Sequence, residues 1–226
     1  MLRDKNVTAL VFDLDGVIVD SEPVMRLAYT MSCAEHGVVG APPIEHFLRY
    51  MGMPLEAILA TLRLPAAMAE TYRKISRESL DRVTMYPGAF KMVVAARERL
   101  PALGLMTGKD RLRTLEILER FKLRELFDLV VCGDDPFPGK PHPDGLAWMI
   151  RQFGVSPGSV VMLGDSSLDI ACCLAAGAVP CGALWGFSSA ADLSQATAVF
   201  GSVEQFHAWI TGASARHAAE SVWQWM

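Results

Sequence analysis

The sequence holds no Cys-x-x-Cys pair. Its five cysteines are Cys33, Cys132, Cys172, Cys173 and Cys181, and an odd count in a long chain does not describe a disulfide framework. Cys172 and Cys173 adjoin, a poor spacing for two ligands on one metal. Small buried thiols in a reducing cytoplasm are the expectation. No apolar run approaches the roughly 20 residues that a membrane helix requires. Residues 1–6 lack the apolar segment and small-residue cleavage site of a signal peptide, which again points to a cytoplasmic location and to no membrane partner. The formal net charge of −4 argues against a nucleic-acid surface, which usually needs a basic face. Neither an internal repeat nor a low-complexity stretch occurs. What the chain does have is apolar mass: 51% hydrophobic against 20% charged residues, enough for a substantial core and too little polarity for disorder. With 226 residues it suffices for one large domain, or one domain with an insertion.

The informative stretch is Asp13-Leu14-Asp15-Gly16-Val17. It follows an apolar run, Thr8 to Phe12, that reads as a buried strand. An unpaired charge inside such a strand is costly, so two aspartates sit at its carboxyl end, with Gly16 permitting an immediate turn. Ligands of open α/β sheets bind beyond the carboxyl ends of the strands. The pair suggests a hard cation, a nucleophile or both; a turn with solvated aspartates is the ordinary structural alternative.

From Ser21 to about Tyr86 the pattern changes. Apolar residues fall at helical spacing in Val24, Leu27, Ala28 and Met31, then Ile44, Phe47, Leu48 and Met51, then Leu55, Ile58, Leu59 and Leu62. Breaks fall at Gly37, Gly40, Pro42-Pro43, Gly52, Pro54 and Pro65. This predicts a module of about four helices with no strand, closed by Pro87-Gly88. Strand and helix then alternate. Helices are predicted over Ala89–Leu100, Arg111–Arg120 (with Leu112, Leu115 and Leu118 as its apolar stripe), Asp144–Phe153 and Leu168–Ala176. Strands are predicted over Leu103–Met106, Leu129–Cys132, Val160–Leu163, Cys181–Leu184 and Ala198–Phe200. The alternation implies an α/β fold of the Rossmann-like kind, a parallel sheet with helices on both faces. The tail from Gly212 carries Val222, Trp223 and Trp225, which suit packing on the core or on a second subunit.

Three further strands deliver polar residues at their carboxyl side: Thr107-Gly108-Lys109, Gly139-Lys140-Pro141, and Gly164-Asp165-Ser166-Ser167-Leu168-Asp169. Singly, each has an ordinary reading as a turn, a solvated lysine or a helix cap. Together, in one layer, they resemble the four motifs of the haloacid dehalogenase-like superfamily in its phosphatase branch, over essentially the whole chain. Asp13 to Val17 resembles the first motif, Thr107-Gly108 the second, Lys140 the third and Gly164-Asp165 to Asp169 the fourth. The inserted helices are similar to the cap of the phosphoglycolate phosphatase and β-phosphoglucomutase group. This divides the chain into a core of residues 1–20 and 86–226 and a cap of residues 21–85. Asp20-Ser21-x-x-Val24-Met25, Thr107-Gly108-Lys109 and Ala183-Leu184-Trp185-Gly186 resemble phosphatases of antibiotic pathways, such as those linked to aminohydroxybenzoate synthesis.

The resemblance implies a phosphatase of a small phosphorylated metabolite, acting as monomer or homodimer. Asp13 would attack phosphorus to give an aspartyl-phosphate, and Asp15 would protonate the leaving oxygen and then activate water. Bare aspartates in one crevice would repel, which implies a cation, and Mg2+ suits one or two carboxylates with phosphate and water oxygens. By resemblance Asp13 and Asp165 bind it by side chain and Asp15 by its carbonyl, while Asp169 stands behind them to orient water or Lys140. Thr107, Gly108 and Lys140 would hold the phosphoryl oxygens. Arg49 and Met53 lie where related caps present specificity residues. One cation, Arg49, among apolar neighbours suggests a leaving group with a modest polar handle. His142 is expected to shape its loop, Lys109 and Arg111 to be solvated, and Trp185 to anchor a loop over the sheet. A β-phosphoglucomutase-type mutase is the nearest alternative, but Met51-Gly52-Met53-Pro54-Leu55 lacks the basic residues expected of one. Asp15 argues against a dehalogenase. Phosphonate cleavage would need a cap lysine, and Lys74 is placed on an outer helix. A regulatory binding protein with a vestigial site is the alternative from another class.

Overall fold

The computed structural model describes residues 6–212. Its centre is β1 (Ala9–Phe12), buried along its whole length. A strand apolar at every position needs cover on both faces, and it has it. Leu10 and Phe12 face one apolar cluster with Met92, Leu118 and Phe206. Ala9 and Val11 face a second with Met149, Ile150 and Cys172. The period of two splits one run between two cores.

Strand β1 pairs in parallel on both sides, with β4 (Ala102–Met106) and β6 (Val160–Gly164). The sheet continues through β5 (Leu129–Val131) on one flank, and β7 (Val179–Ala183) and β8 (Ala198–Phe200) on the other. The order β5-β4-β1-β6-β7-β8 makes β1 the point where strand succession reverses, so a crevice opens beyond its carboxyl end. Helices α5 (Ala89–Arg99), α6 (Arg111–Arg120) and α9 (Val203–Thr211) contribute to the first cluster; α7 (Asp144–Phe153) and α8 (Ser167–Ala175) contribute to the second. The parallel α/β reading therefore holds. Among the described residues no helix is long and apolar enough to cross a membrane, and all five cysteines are buried.

Helices α1 (Glu22–Glu35), α2 (Ile44–Leu48), α3 (Leu55–Thr61) and α4 (Met68–Glu78) form the inserted module. They bury a third cluster of their own, including Tyr29, Phe47, Ile58, Met68 and Tyr72.

Several expectations need correction. The module's base carries strands after all: β2 (Val19–Asp20) and β3 (Thr84–Met85) pair antiparallel where the chain leaves and re-enters the core. Two-residue strands display no period. On α1 the buried face includes Met25 and Tyr29, while Met31 is exposed. On α6 the buried side chains are Arg113, Thr114, Ile117 and Leu118, and Leu112 is half exposed, because α6 packs against both the core and the module. Strand β7 starts two residues early, through Pro180, whose neighbour β8 pairs only from Cys181 onward; the missing N–H at Pro180 thus falls outside the β8 ladder. Helix α8 starts at Ser167 because Ser166 and Asp169 close a reciprocal capping box. Helix α9 was not anticipated, although Ser202 caps it by accepting from the Gln205 amide. Val222, Trp223 and Trp225 lie outside the described residues.

Candidate active site

Each strand end around β1 places one polar group in the crevice. Asp13 directly follows β1, and its amide still bonds the Leu163 carbonyl at 2.9 Å, so its position is a continuation of the sheet. The chain then turns at Gly16 with φ of +78°, a conformation that a side chain disfavours. A Cβ at position 16 would also lie 2.1 Å from Asp165 Oδ2. Asp165 follows β6, Thr107 follows β4, Lys140 comes from the loop between β5 and α7, and Asp169 stands in the first turn of α8. All of these, with Asp15, are buried.

Lys140 is the hub. Its Nζ lies 2.6 Å from Asp169 Oδ1 and 3.0 Å from Asp13 Oδ1, and donates to the Met106 carbonyl at 3.3 Å. Burial opposes its charge, but Asp13 and Asp169 outweigh that and hold its pKa above the usual lysine value. Asp169 is fixed from behind by the Ser166 amide and hydroxyl, at 3.1 and 2.5 Å. Asp165 Oδ2 accepts from the Phe187 amide at 2.7 Å. Burial pushes the Asp13 carboxyl up to about 7, against the pull of Lys140, with Asp169 and Asp15 adding repulsion. Burial, then Asp169 and Asp13, raise Asp165 well above the ordinary carboxyl value.

Oxygens of Asp13, Asp165 and Asp169 lie within 4.8 Å of one another. Three buried carboxylates facing one ammonium leave the site short of positive charge. Asp13 Oδ1 is buried and accepts no hydrogen bond; its one close charged neighbour is Lys140 Nζ, an ion-pair contact at 3.0 Å. An unsatisfied anionic oxygen beside two more hard oxygen donors is the donor set of a small divalent cation, and the residues present fit one.

Asp15 is held separately. Ser21 Oγ donates to its Oδ1, and Lys109 Nζ stands 3.2 Å from its Oδ2. Lys109 is therefore not solvated, as its sequence context suggested. Its side chain is 8% exposed, and burial pulls its pKa down against the attraction of Asp15, with Arg113 adding repulsion. The signal was available: extending the register Phe12↔Leu105 by three residues sets Asp15 beside Gly108, the neighbour of Lys109. Arg111 is likewise paired, 2.5 Å from Asp135 Oδ2. His142 is exposed, and its carbonyl accepts from the Cys172 thiol at 3.2 Å. Trp185 does anchor its loop, its Nε1 donating to the Val17 carbonyl at 3.1 Å.

The helical module lies over these groups. A cavity of about 20 Å³ separates the two, room for a water molecule and not for a phosphate ester. The core lines it with Asp13, Asp15, Thr107, Gly108, Lys109 and Arg113; the module with Phe47, Met51, Gly52, Met53, Leu55, Ile58 and Tyr72. Met53 is thus at the site. Arg49 is not: it is exposed at the end of α2 and does not line the cavity. Contact is close enough that a Cβ on Gly108 would meet the Gly52 and Met53 carbonyl oxygens at 2.4 and 2.5 Å. Module and core are tied by Arg73 Nε to Asp110 at 3.2 Å, Arg77 Nη2 to Glu116 at 2.6 Å, and Arg120 donating to the Val83 and Asp81 carbonyls at 2.8 and 2.9 Å.

Residues 10–183 match the family model of haloacid dehalogenase-like hydrolases. The phosphoglycolate phosphatase of Escherichia coli O157:H7 is 28% identical, over 90% of this chain and 92% of that protein. The pyrophosphatase PpaX of Bacillus velezensis is also 28% identical, over 85% and 90%. A haloacid dehalogenase-like hydrolase from Streptococcus pneumoniae superposes with a TM-score of 0.78 at 24% identity, over 90% of this chain and 98% of that one.

Proposed function

The chain belongs to the haloacid dehalogenase-like hydrolases and is a phosphatase, and we propose that it works with Mg2+ and through an aspartyl-phosphate on Asp13. The observation that carries this reading is Asp13 itself. It is a buried carboxylate at the crevice of the sheet, and its Oδ1 accepts no hydrogen bond, meeting only the Lys140 ammonium as an ion pair at 3.0 Å.

Asp13 and Asp165 would hold the cation by side chain and Asp15 by its carbonyl, and the ion would supply charge to offset the phosphoryl oxygens. The remaining steps belong to the protein. Asp13 forms a bond to phosphorus as the bond to the leaving oxygen breaks, in line. Asp15 gives its proton to that oxygen, and Ser21 and Lys109 fix its carboxyl on the leaving side. The same carboxylate then takes a proton from the water that attacks phosphorus, freeing Asp13 and inorganic phosphate. Thr107 and the Gly108 amide hold phosphoryl oxygens, and Lys140 balances their charge. Asp169 is a positioning residue that acts through Lys140.

The helical module reads as a cap that must swing away for substrate to enter, since the closed cavity is too small for an ester. Its lining weighs against a sugar-phosphate mutase. Of its side chains only Tyr72 carries a polar group, so the hydroxyls of a sugar would be buried without partners there. The relatives named for phosphoglycolate and pyrophosphate support a small substrate.

The test is Asp13→Asn, with Mg2+ and a phosphate ester. Turnover should disappear, melting should stay cooperative, and beryllium fluoride should label the parent protein at Asp13 but not the variant. Undiminished turnover by the variant would sink the assignment.

A further inference from the structure

Resting on that phosphatase reading, we propose that Lys109 is the specificity-determining residue of the site, and that it receives a carboxylate carried by the leaving group. The position follows from Asp15. The leaving oxygen must come within hydrogen-bond reach of Asp15, about 2.7 Å, and Lys109 Nζ is 3.2 Å from Asp15 Oδ2. A charged group one carbon beyond the ester oxygen therefore falls within reach of the ammonium. Lysine is almost never buried without a counter-charge, and among the described residues the ion-pair partner of Lys109 is Asp15 alone.

The surroundings sharpen the ligand. Arg113, the other cation lining the cavity, is already held: its Nε lies 2.6 Å from Asp110 Oδ2, its guanidinium stacks 5.4 Å from the Tyr72 ring centre, and it donates to Ser76 at 3.4 Å. Arg73 shares the same Asp110 and also pairs with Glu56, so this corner offers no second free cation. One ammonium as a point charge matches a carboxylate. A second phosphoryl group, with three oxygens and about two charges, calls for more donors than Lys109 provides. Phe47, Leu55 and Ile58 face the same space and exclude water from the pair, which strengthens it. Lys109 thus takes the role that the sequence suggested for Arg49.

The test compares three compounds with the full chain and Mg2+: 2-phosphoglycolate, ethyl phosphate (a methyl in place of the carboxylate) and pyrophosphate. The parent protein should prefer 2-phosphoglycolate over ethyl phosphate by about 10²-fold in kcat/KM, the scale of a hydrogen bond to a charged group. Lys109→Met should lower kcat on both esters, because Asp15 loses its ion-pair partner, and should in addition bring the two within about threefold of each other through a raised KM for the carboxylated one; Lys109→Arg should restore at least a tenfold preference. A parent protein indifferent to the carboxylate overturns the proposal, whatever the variants do. So does a Met variant that loses equally on both esters, because Lys109 would then only position Asp15. Faster turnover of pyrophosphate than of 2-phosphoglycolate overturns the choice of carboxylate. Failure of the parent protein to hydrolyse even p-nitrophenyl phosphate would instead bring down the phosphatase reading, and this proposal with it.

Discussion

Stripping divalent metal from this protein should make its stability fall as pH rises, and the site sets the size of the effect. The Asp13 carboxyl is pushed up to about 7 in the folded chain, against an ordinary value of 3.8, by burial and by Asp169 and Asp15. Asp165 moves in the same direction. For a group raised on folding, the associated stability is fully present below the unfolded pKa and lost as pH climbs through the folded one. The window is therefore pH 4 to 7. The raised pKa of Lys140 acts only above the usual lysine range and leaves this window untouched. A shift of about three units corresponds to roughly 4 kcal/mol, and about 2.5 kcal/mol of it falls between pH 5 and 8. For a chain of this size that is roughly 5–10 °C in melting temperature. Calorimetry of EDTA-treated protein should show melting temperature dropping by this amount from pH 5 to pH 8. Added Mg2+ should raise it most at pH 8, where the ligands are ionised and binding favours the folded state. Asp165→Asn removes one of the repelling carboxylates and should flatten the metal-free slope. A metal-free melting temperature that is level or rises between pH 5 and 8 would refute the charge-deficit account of the site.

Two further outcomes are expected. Asp15→Asn should lose hydrolysis of alkyl phosphates more than that of p-nitrophenyl phosphate, because a good leaving group needs less protonation; equal losses in steady-state assays would leave Asp15 a structural role. Gly108→Ala keeps the amide but drives a methyl against the Gly52 and Met53 carbonyls. Melting should change by only a few degrees while kcat/KM for an alkyl phosphate falls by about 10²-fold, the cost of a misplaced closure. Undiminished turnover would mean that this loop need not rest on Gly108 during reaction.

The sheet was legible because its central strands are unbroken apolar runs ending in polar residues, a pattern that locates both the element and the edge where chemistry sits. Helices α6 and α7 begin and end where predicted, since Asp110 and Pro143 mark their starts. The cluster of Asp13, Asp15, Thr107, Lys140, Asp165 and Asp169 assembles from four separate stretches, and motif order was enough to gather it. What failed were properties of facing surfaces. Leu112 was taken for core and Lys109 for solvent, yet Leu112 is half exposed and Lys109 is buried against Asp15. Periodicity reports that a helix has two faces, not that a second module will cover one of them. Arg49 shows the same limit: its place at the end of α2 was legible, and that it would not line the closed cavity was not. Strands β2 and β3 are too short to carry a pattern of their own.

That short pairing at the module's base bears on how the chain finds its fold. Leu10 must meet Leu103, and about two thirds of the intervening chain is the inserted module. Once Val19 pairs with Met85, the module's ends are joined and the effective separation shrinks from roughly 90 residues to roughly 30, worth about 1 kcal/mol of loop-closure entropy. The helices carry their own apolar cluster, so their association can set that pairing before the sheet exists. A module inserted into the middle of the central ladder is thereby a long interruption in sequence and a short one for the polymer, and the search of β1 for β4 becomes nearly local.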